Sequence, residues 1–159
     1  WSDYAEAHGF ANRRDGGTAE GAFRSSYRWG GSDYDAAEND QVAARIAAET
    51  QPDDSIFIWG FEPSIYFLSE RNPASRFLYD YPLMPALGPL AEEHERQLLA
   101  DLAQSSPALF VVVRADANDL EPVDSETQLM DHPLIAGYLS NFYRPAWSMG
   151  DFRVYRRVD

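Results

Sequence analysis

The sequence predicts an α/β fold, a three-layer sandwich whose mainly parallel, Rossmann-like sheet has no dinucleotide loop and ends in an antiparallel C-terminal hairpin. Three observations predict it. Residues 55–60 (SIFIWG) and 109–114 (LFVVVR) are short apolar runs rich in β-branched and aromatic residues, as strands buried on both faces are. Stretches of helical period separate such runs, which argues for parallel strands joined by right-handed crossovers. Gly150-Asp151 lies between two further β-rich runs, the signature of a tight hairpin.

The elements follow in order. Residues 1–40 read as an aromatic, glycine-rich arm, set before a single α/β domain over 41–159. The first 41 residues contain no Val, Ile, Leu or Met, but seven aromatic residues and six of the ten glycines. Such a segment anchors through rings and builds no regular amphipathic element. A helix is predicted over about 33–50, with Ser32 as cap, Asp35 and Glu38 at its positive end, and Val42, Ala43, Ile46 and Ala47 as its apolar stripe. After a turn at 51–54 comes the strand 55–60. Pro63 suits the first turn of a helix over 64–70, which Asn72-Pro73 stops. A second strand is expected over 76–81 and a proline-bearing loop over 82–88. The clearest helix spans 89–104, with Ala91, Leu98, Leu99 and Leu102 on one face and Glu92, Glu93, Glu95 and Asp101 on the other. The strand 109–114 leads to an acidic loop at 115–128 and to a helix over 131–141 capped by Asp131. Runs at 146–149 and 152–156 form the hairpin.

Composition removes several functions. Of 159 residues, 26 are acidic and 13 basic, for a net charge of −13. That field repels phosphate backbones, so general nucleic-acid binding is not expected. With no cysteine, disulfides, thiolate metal sites and cysteine nucleophiles are excluded. Every basic residue is arginine, so Schiff-base lysines and a Walker lysine are absent too. The longest apolar run, ALFVVV at 108–113, is far short of the ~20 residues of a membrane helix. A start at Trp1, with neither methionine nor signal segment, is expected of a piece cut from a longer chain.

Open parallel sheets place ligands beyond the carboxyl ends of their strands. Those ends supply Phe61, Glu62 and Pro63, then Tyr79, Asp80 and Tyr81, then Arg114 and Asp116. Glu62, Asp80 and Asp116 on one edge would suit a divalent metal and hydrolysis of a phosphate ester, unless Arg76 and Arg114 simply pair with them. A protein-interaction module using the aromatic arm is a further alternative. No metal site is assigned: His8, His94 and His132 share no ligand spacing, and the acidic loop lacks the oxygen alternation of a calcium loop. The terminal set Arg153, Arg156 and Arg157 faces solvent or pairs with that loop.

The densest stretch is residues 56–77, IFIWGFEPSIYFLSERNPASRF. Its Trp-Gly, Glu-Pro-Ser-x-Tyr, Leu-Ser-x-Arg and Pro-Ala-Ser-Arg elements exceed what a strand–helix–strand unit needs. Arg71 and Arg76 bracket an Asn-Pro turn, where they suit a carboxylate, a phosphate or a helix C-terminus. With LLADLAQSSPALFVVVR at 98–114 and GDFRVYR at 150–156, the stretch resembles the C-terminal region of bacterial membrane glycosyltransferases similar to the dolichyl-phosphate-mannose protein mannosyltransferases. The likeness runs from about Asp40 to the end.

That resemblance implies an extracytoplasmic, periplasmic domain following the membrane spans of an enzyme that uses polyprenyl-phosphate sugars. It implies an accessory role, covering the membrane-embedded active site or holding the acceptor. The essential acid of such enzymes lies in a loop outside this sequence, so no catalytic residue and no cofactor carries over. The expected partners are the membrane-embedded part of the same parent chain and a glycan or lipid-linked sugar, with no nucleic acid. Rings beside carboxylate and guanidinium groups suit sugars and phosphates, so Trp59, Glu62, Tyr66, Arg71, Arg76 and Tyr79 are the expected substrate-binding residues.

Overall fold

A computed structural model describes residues 35–118 and 121–158. The arm over 1–40, and Ser32 with it, lies outside these residues up to position 34. Helix α1 (Ala36–Glu49) starts at Asp35, whose side chain accepts hydrogen bonds from the backbone N–H groups of Ala37 and Glu38 at 2.9 and 3.3 Å. A carboxylate there satisfies otherwise orphaned donors and meets the positive end of the helix dipole. The helix ends where Thr50 leaves helical geometry and turns its hydroxyl back onto the Ile46 carbonyl at 2.6 Å.

Strand β1 (Ser55–Trp59) and helix α2 (Ser64–Ser69) fall where the apolar run and the Pro63 start place them. The expected second strand at 76–81 does not form. Strand β2 is only Asn72–Pro73, paired in parallel with Ser55 and Ile56. Proline has no N–H to donate, which its outer-edge position tolerates, and the last bond of the ladder is the Ala74 N–H to the Ile56 carbonyl at 2.9 Å. The backbone then turns: Ser75 accepts from the Phe77 N–H and donates to Asp101, so Phe77 drops into the core.

Two single 3₁₀ turns, Tyr81–Leu83 and Pro85–Leu87, lead into α3 (Pro89–Ser105). Strand β3 (Leu109–Val113) is buried throughout. The acidic loop contains one helical turn, α4 (Ser125–Gln128), which Asp124 caps through Thr127 N–H at 2.8 Å. Helix α5 (Pro133–Phe142) begins after His132, not at Asp131, and runs directly into β4 (Tyr143–Met149). Gly150 and Asp151 turn the chain into β5 (Phe152–Arg157).

The result is a mixed α/β protein with an open five-stranded sheet in the order β2-β1-β3-β5-β4. The sheet is mixed rather than mainly parallel: β1 pairs in parallel with β2 and β3, whereas β5 pairs antiparallel with both β3 and β4. Lacking a strand at 76–81, the parallel part has nothing to extend it beyond β2. Side chains leave β1 alternately, as the pleat requires. Ile56 and Ile58 join Val42, Ile46 and Ile65 of α1 and α2, whereas Phe57 and Trp59 join Leu98 and Leu102 of α3 and Ile135 of α5. Each large side chain removed from water in these clusters stabilises the fold by roughly 1.5–3 kcal/mol before the cost of ordering it.

Candidate functional site

The chain leaves β1 through Gly60, at φ 128°. A Cβ there would stand 2.5 Å from Val113 Cβ and 3.1 Å from Asp116 Oδ2, so both the conformation and the close approach of β3 require glycine. This contact brings the ends of β1 and β3 together. The Phe61 N–H donates to Asp116 Oδ2 at 3.3 Å.

Two polar knots form around that junction. In one, Ser125 holds two carboxyl groups: its Oγ lies 2.7 Å from Asp80 Oδ2 and 2.6 Å from Asp116 Oδ2, and its N–H donates to Asp116 Oδ1 at 2.8 Å. Trp59 Nε1 donates to the Ser125 carbonyl at 2.8 Å and fixes this turn over the sheet end. Counting protons is informative, because a hydroxyl has one and ionised carboxylates have none. Two short contacts to one Oγ therefore need a second proton. Asp80 is its natural carrier, since burial, then the negative charge of Asp116, push its pKa up. Asp116 already accepts from two backbone N–H groups and receives the Ser125 hydroxyl proton. With that proton on Asp80, the donors would run from Asp80 to Ser125 to Asp116. Asp80 is only 4% exposed, and its Oδ1 has no hydrogen-bond partner.

In the second knot, Asn39 of α1 donates to Glu62 Oε2 at 2.6 Å and to Ser64 Oγ at 3.1 Å. Glu62 is buried, and desolvation pushes its pKa up to about 7, with Asp116 and Glu38 adding like charge. Glu121 is also raised, chiefly by desolvation and then by Asp80 and Asp116. Beside the carboxyl groups stand three rings. Phe61 stacks on Tyr81 at 4.8 Å between centroids and meets Tyr79 edge-on at 5.5 Å. Phe61 is 44% and Tyr79 37% exposed, and Asn118 Nδ2 donates to the Tyr81 hydroxyl at 3.3 Å.

The structure thus brings together part of the expected set. Glu62 and Tyr79 stand at the carboxyl ends of the strands, as do Asp80 and Asp116. Trp59 and Tyr66 are core residues; the Tyr66 hydroxyl accepts from the Ile58 N–H at 2.9 Å. Arg71 sits at the opposite end of β1, where it donates to the carbonyls of Ala47, Thr50, Ser69 and Glu70 and to Thr50 Oγ1. Its guanidinium closes the ends of α1 and α2. Arg76 lies on the flank of α3 against Gln97. Neither Arg76 nor Arg114 pairs with the edge carboxylates, for Arg114 bonds the Gly150 carbonyl. Asn39 and Ser125 escaped the sequence reading, because neither belongs to a periodic pattern or a motif. The Asp124-Ser125 pair opening an acidic turn was the only signal for Ser125, and Asn39 had none.

No group of three or more His, Asp or Glu among the described residues has the arrangement of a metal site, which removes the basis for metal-dependent hydrolysis by Glu62, Asp80 and Asp116. No described helix is long and apolar enough to cross a membrane.

Comparison with known proteins changes the family. A protein-family model described as "Putative competence-induced protein Ccs4 C-terminal domain" matches residues 36–132, from α1 through the Ser125 turn. It overturns the resemblance to membrane glycosyltransferases, and with it the accessory role in polyprenyl-phosphate-sugar transfer. The Trp-Gly and Pro-Ala-Ser-Arg elements behind that resemblance are packing and turn residues of a strand–helix–strand unit, and a fold unit does not fix a function. The expected membrane-bound parent chain, periplasmic location and glycan partner lose the argument that carried them. Searches of curated proteins and of solved structures found no match. With more than half of its 159 residues matched, including every carboxylate of the strand-end site, the chain belongs to the Ccs4 C-terminal domain family.

Proposed function

We propose that this is a ligand-binding domain that receives an organic cation, a protonated amine or a guanidinium group, at the carboxyl ends of β1 and β3. The sheet carries apolar clusters on both faces, so we also take it as a three-layer, doubly wound arrangement, in which loops leaving neighbouring strands to opposite sides open a crevice. One observation carries the reading. Glu62, Asp80 and Asp116 form no ion pair with any described arginine, and the buried Asp80 Oδ1 lacks a donor, beside the partly exposed Phe61–Tyr79–Tyr81 rings. Buried acids held partly protonated are poised to exchange those protons for an external positive charge. Aromatic faces attract the same charge through their quadrupoles. An ammonium or guanidinium donor satisfies both.

The sign of the pH dependence follows from Glu62. A cation favours the ionised carboxyl, so affinity should rise with pH through about 7 and level off above it. Binding should release protons over the same range. Calorimetric titration with spermidine and with arginine, in buffers of different ionisation enthalpy at pH 6 and pH 8, measures both effects. Phe61→Ala, a change at an exposed ring, should weaken binding about 5- to 10-fold. Binding without proton release, or equally strong at both pH values, would refute the reading, as would the absence of binding.

A further inference from the structure

At the other edge of the sheet lies a groove of opposite charge. It occupies about 370 Å³ along the outer strand β4, between the end of α1 and the end of β5. Four arginines line it, Arg45, Arg144, Arg156 and Arg157, with Glu49 as its one acidic residue and Trp147 as its floor. In a chain of net charge −13 with 13 basic residues in all, the guanidinium groups of Arg45, Arg144 and Arg156 against Glu49 leave a local excess of two positive charges.

The groove is built, not a chance gathering of surface side chains. Glu49 is its brace: its carboxylate accepts from Arg45 Nε at 2.9 Å, Arg156 Nη2 at 2.6 Å and Trp147 Nε1 at 2.9 Å. The guanidinium of Arg45 lies over the Trp147 ring, 4.2 Å from its centroid. Arg157 donates to the Tyr138 hydroxyl at 3.2 Å and covers the rings of Phe142 and Tyr143. Arg144 uses Nη1 alone, on the carbonyls of Ser140 and Tyr143. Both Nη groups of Arg45 and the Nη2 of Arg144 keep their N–H donors unused by the described residues. The Arg157 guanidinium turns to the other face of the sheet, but one carboxylate cannot neutralise the three groups that remain, and planar forks with free donors match phosphate oxygens in geometry and charge.

We propose that this groove is a binding site for a small phosphorylated anion carrying two or more phosphate charges, such as a pyrophosphate or diphosphate ester group. Size and field both favour a small ligand over a polymer. The groove is at the low end of the range for small-molecule sites, and a nucleic-acid backbone continuing past it would run over a strongly acidic surface. The strands that form it lie beyond residues 36–132, so the site is separate from the one proposed at the strand ends and stands or falls independently.

Pyrophosphate is the direct probe, followed by calorimetry and by the part of the tryptophan emission that Trp147→Phe removes, since a bound anion would disturb the contact of the Trp147 ring with Arg45. Dissociation constants of about 10–500 μM are expected at low salt, weakening as ionic strength rises. Arg144→Glu should reduce affinity at least 10-fold and Arg144→Gln about 3- to 10-fold, with melting temperatures confirming that both fold. Arg153→Glu should change affinity less than about 2-fold, because Arg153 pairs with Glu126 outside the groove. ADP binding as tightly as pyrophosphate would identify a phosphate ester as the source, and pyrophosphate alone a free anion. Three results would each overturn the proposal: no binding at about 5 mM pyrophosphate, equal weakening by the Arg144 and Arg153 variants, or a stronger response to succinate or a single-stranded oligonucleotide than to pyrophosphate.

Discussion

Replacing Glu62 by glutamine tests the electrostatics of the strand-end site most directly. An isolated glutamate carboxyl titrates near 4.5, whereas burial of Glu62 moves its titration to about 7. The folded protein therefore holds this proton more tightly than the unfolded chain does. Below pH 4.5 both states are protonated and the group costs nothing. Between 4.5 and 7 the unfolded chain releases its proton first, so stability falls as pH rises, and above 7 the cost is complete. At about 1.4 kcal/mol per unit, that cost comes to about 3 kcal/mol. With only 9% of Glu62 exposed, solvent screening removes little of it. Glutamine preserves an acceptor for Asn39 Nδ2 and cannot ionise. Glu62→Gln should therefore match the wild type at pH 4.5 and exceed it at pH 8 by about 2–3 kcal/mol, a rise of roughly 5–10 °C in melting temperature for a chain of this size. Urea denaturation of both proteins at half-unit steps from pH 4.5 to 8.5 measures the difference. A constant difference across that range would show that Glu62 titrates normally and that the site is more hydrated than its geometry indicates.

Two further substitutions probe specific contacts. If Asp80 carries the extra proton in the chain to Ser125, then Asp80→Asn supplies an N–H in its place and should leave stability at pH 7 within about 1 kcal/mol, whereas Asp116→Asn turns an acceptor of backbone donors towards them as a donor and should cost about 2–4 kcal/mol. Reversal of that order in chemical denaturation would place the proton on Asp116. Arg71→Ala should cost about 2–4 kcal/mol by freeing the carbonyls at the ends of α1 and α2, and Arg71→Lys should restore little of it, since an ammonium cannot span both helix ends. Thermal unfolding of the two variants decides this.

The central strands and the long helices were legible because each carries a period or an unbroken apolar run. Val42, Ala43 and Ile46 recur on one face of α1, and all five residues of β3 are apolar and buried. Gly150-Asp151 announced its hairpin by turn chemistry alone. The failure at 76–81 has the same root. RFLYDY has the composition of a strand, but strand formation needs a partner ladder, and after Ala74 bonds the Ile56 carbonyl the turn at Ser75 carries the chain away from β1. Composition sees the side chains of the window, whereas this turn rests on a contact between Ser75 and Asp101, 26 residues apart.

The site divides along the same line. That the carboxyl ends of β1 and β3 would gather Glu62, Asp80 and Asp116 followed from topology, and Asp80 came there although its expected strand did not form. Its position depends on the turn after Phe77 and on the bond to Ser125, neither of which strand logic supplies. What the sequence left open was the choice of partners for the arginines. The alternative pairing of Arg76 and Arg114 with the carboxylates does not form, since Arg114 turns to Gly150 and Arg76 to Gln97, whereas Arg71 takes the helix-end position that was one of its expected roles. Guanidinium groups reach several acceptors, and buried carbonyls compete with carboxylates for them at every helix end. The acids are left to hydroxyl, amide and backbone donors, which satisfy oxygen atoms without cancelling charge. Burial first, and the like charge of Asp116 after it, raises Glu62 and Asp80 together, and relieving that strain is the strongest physical reason for this edge of the sheet to take up a positively charged group.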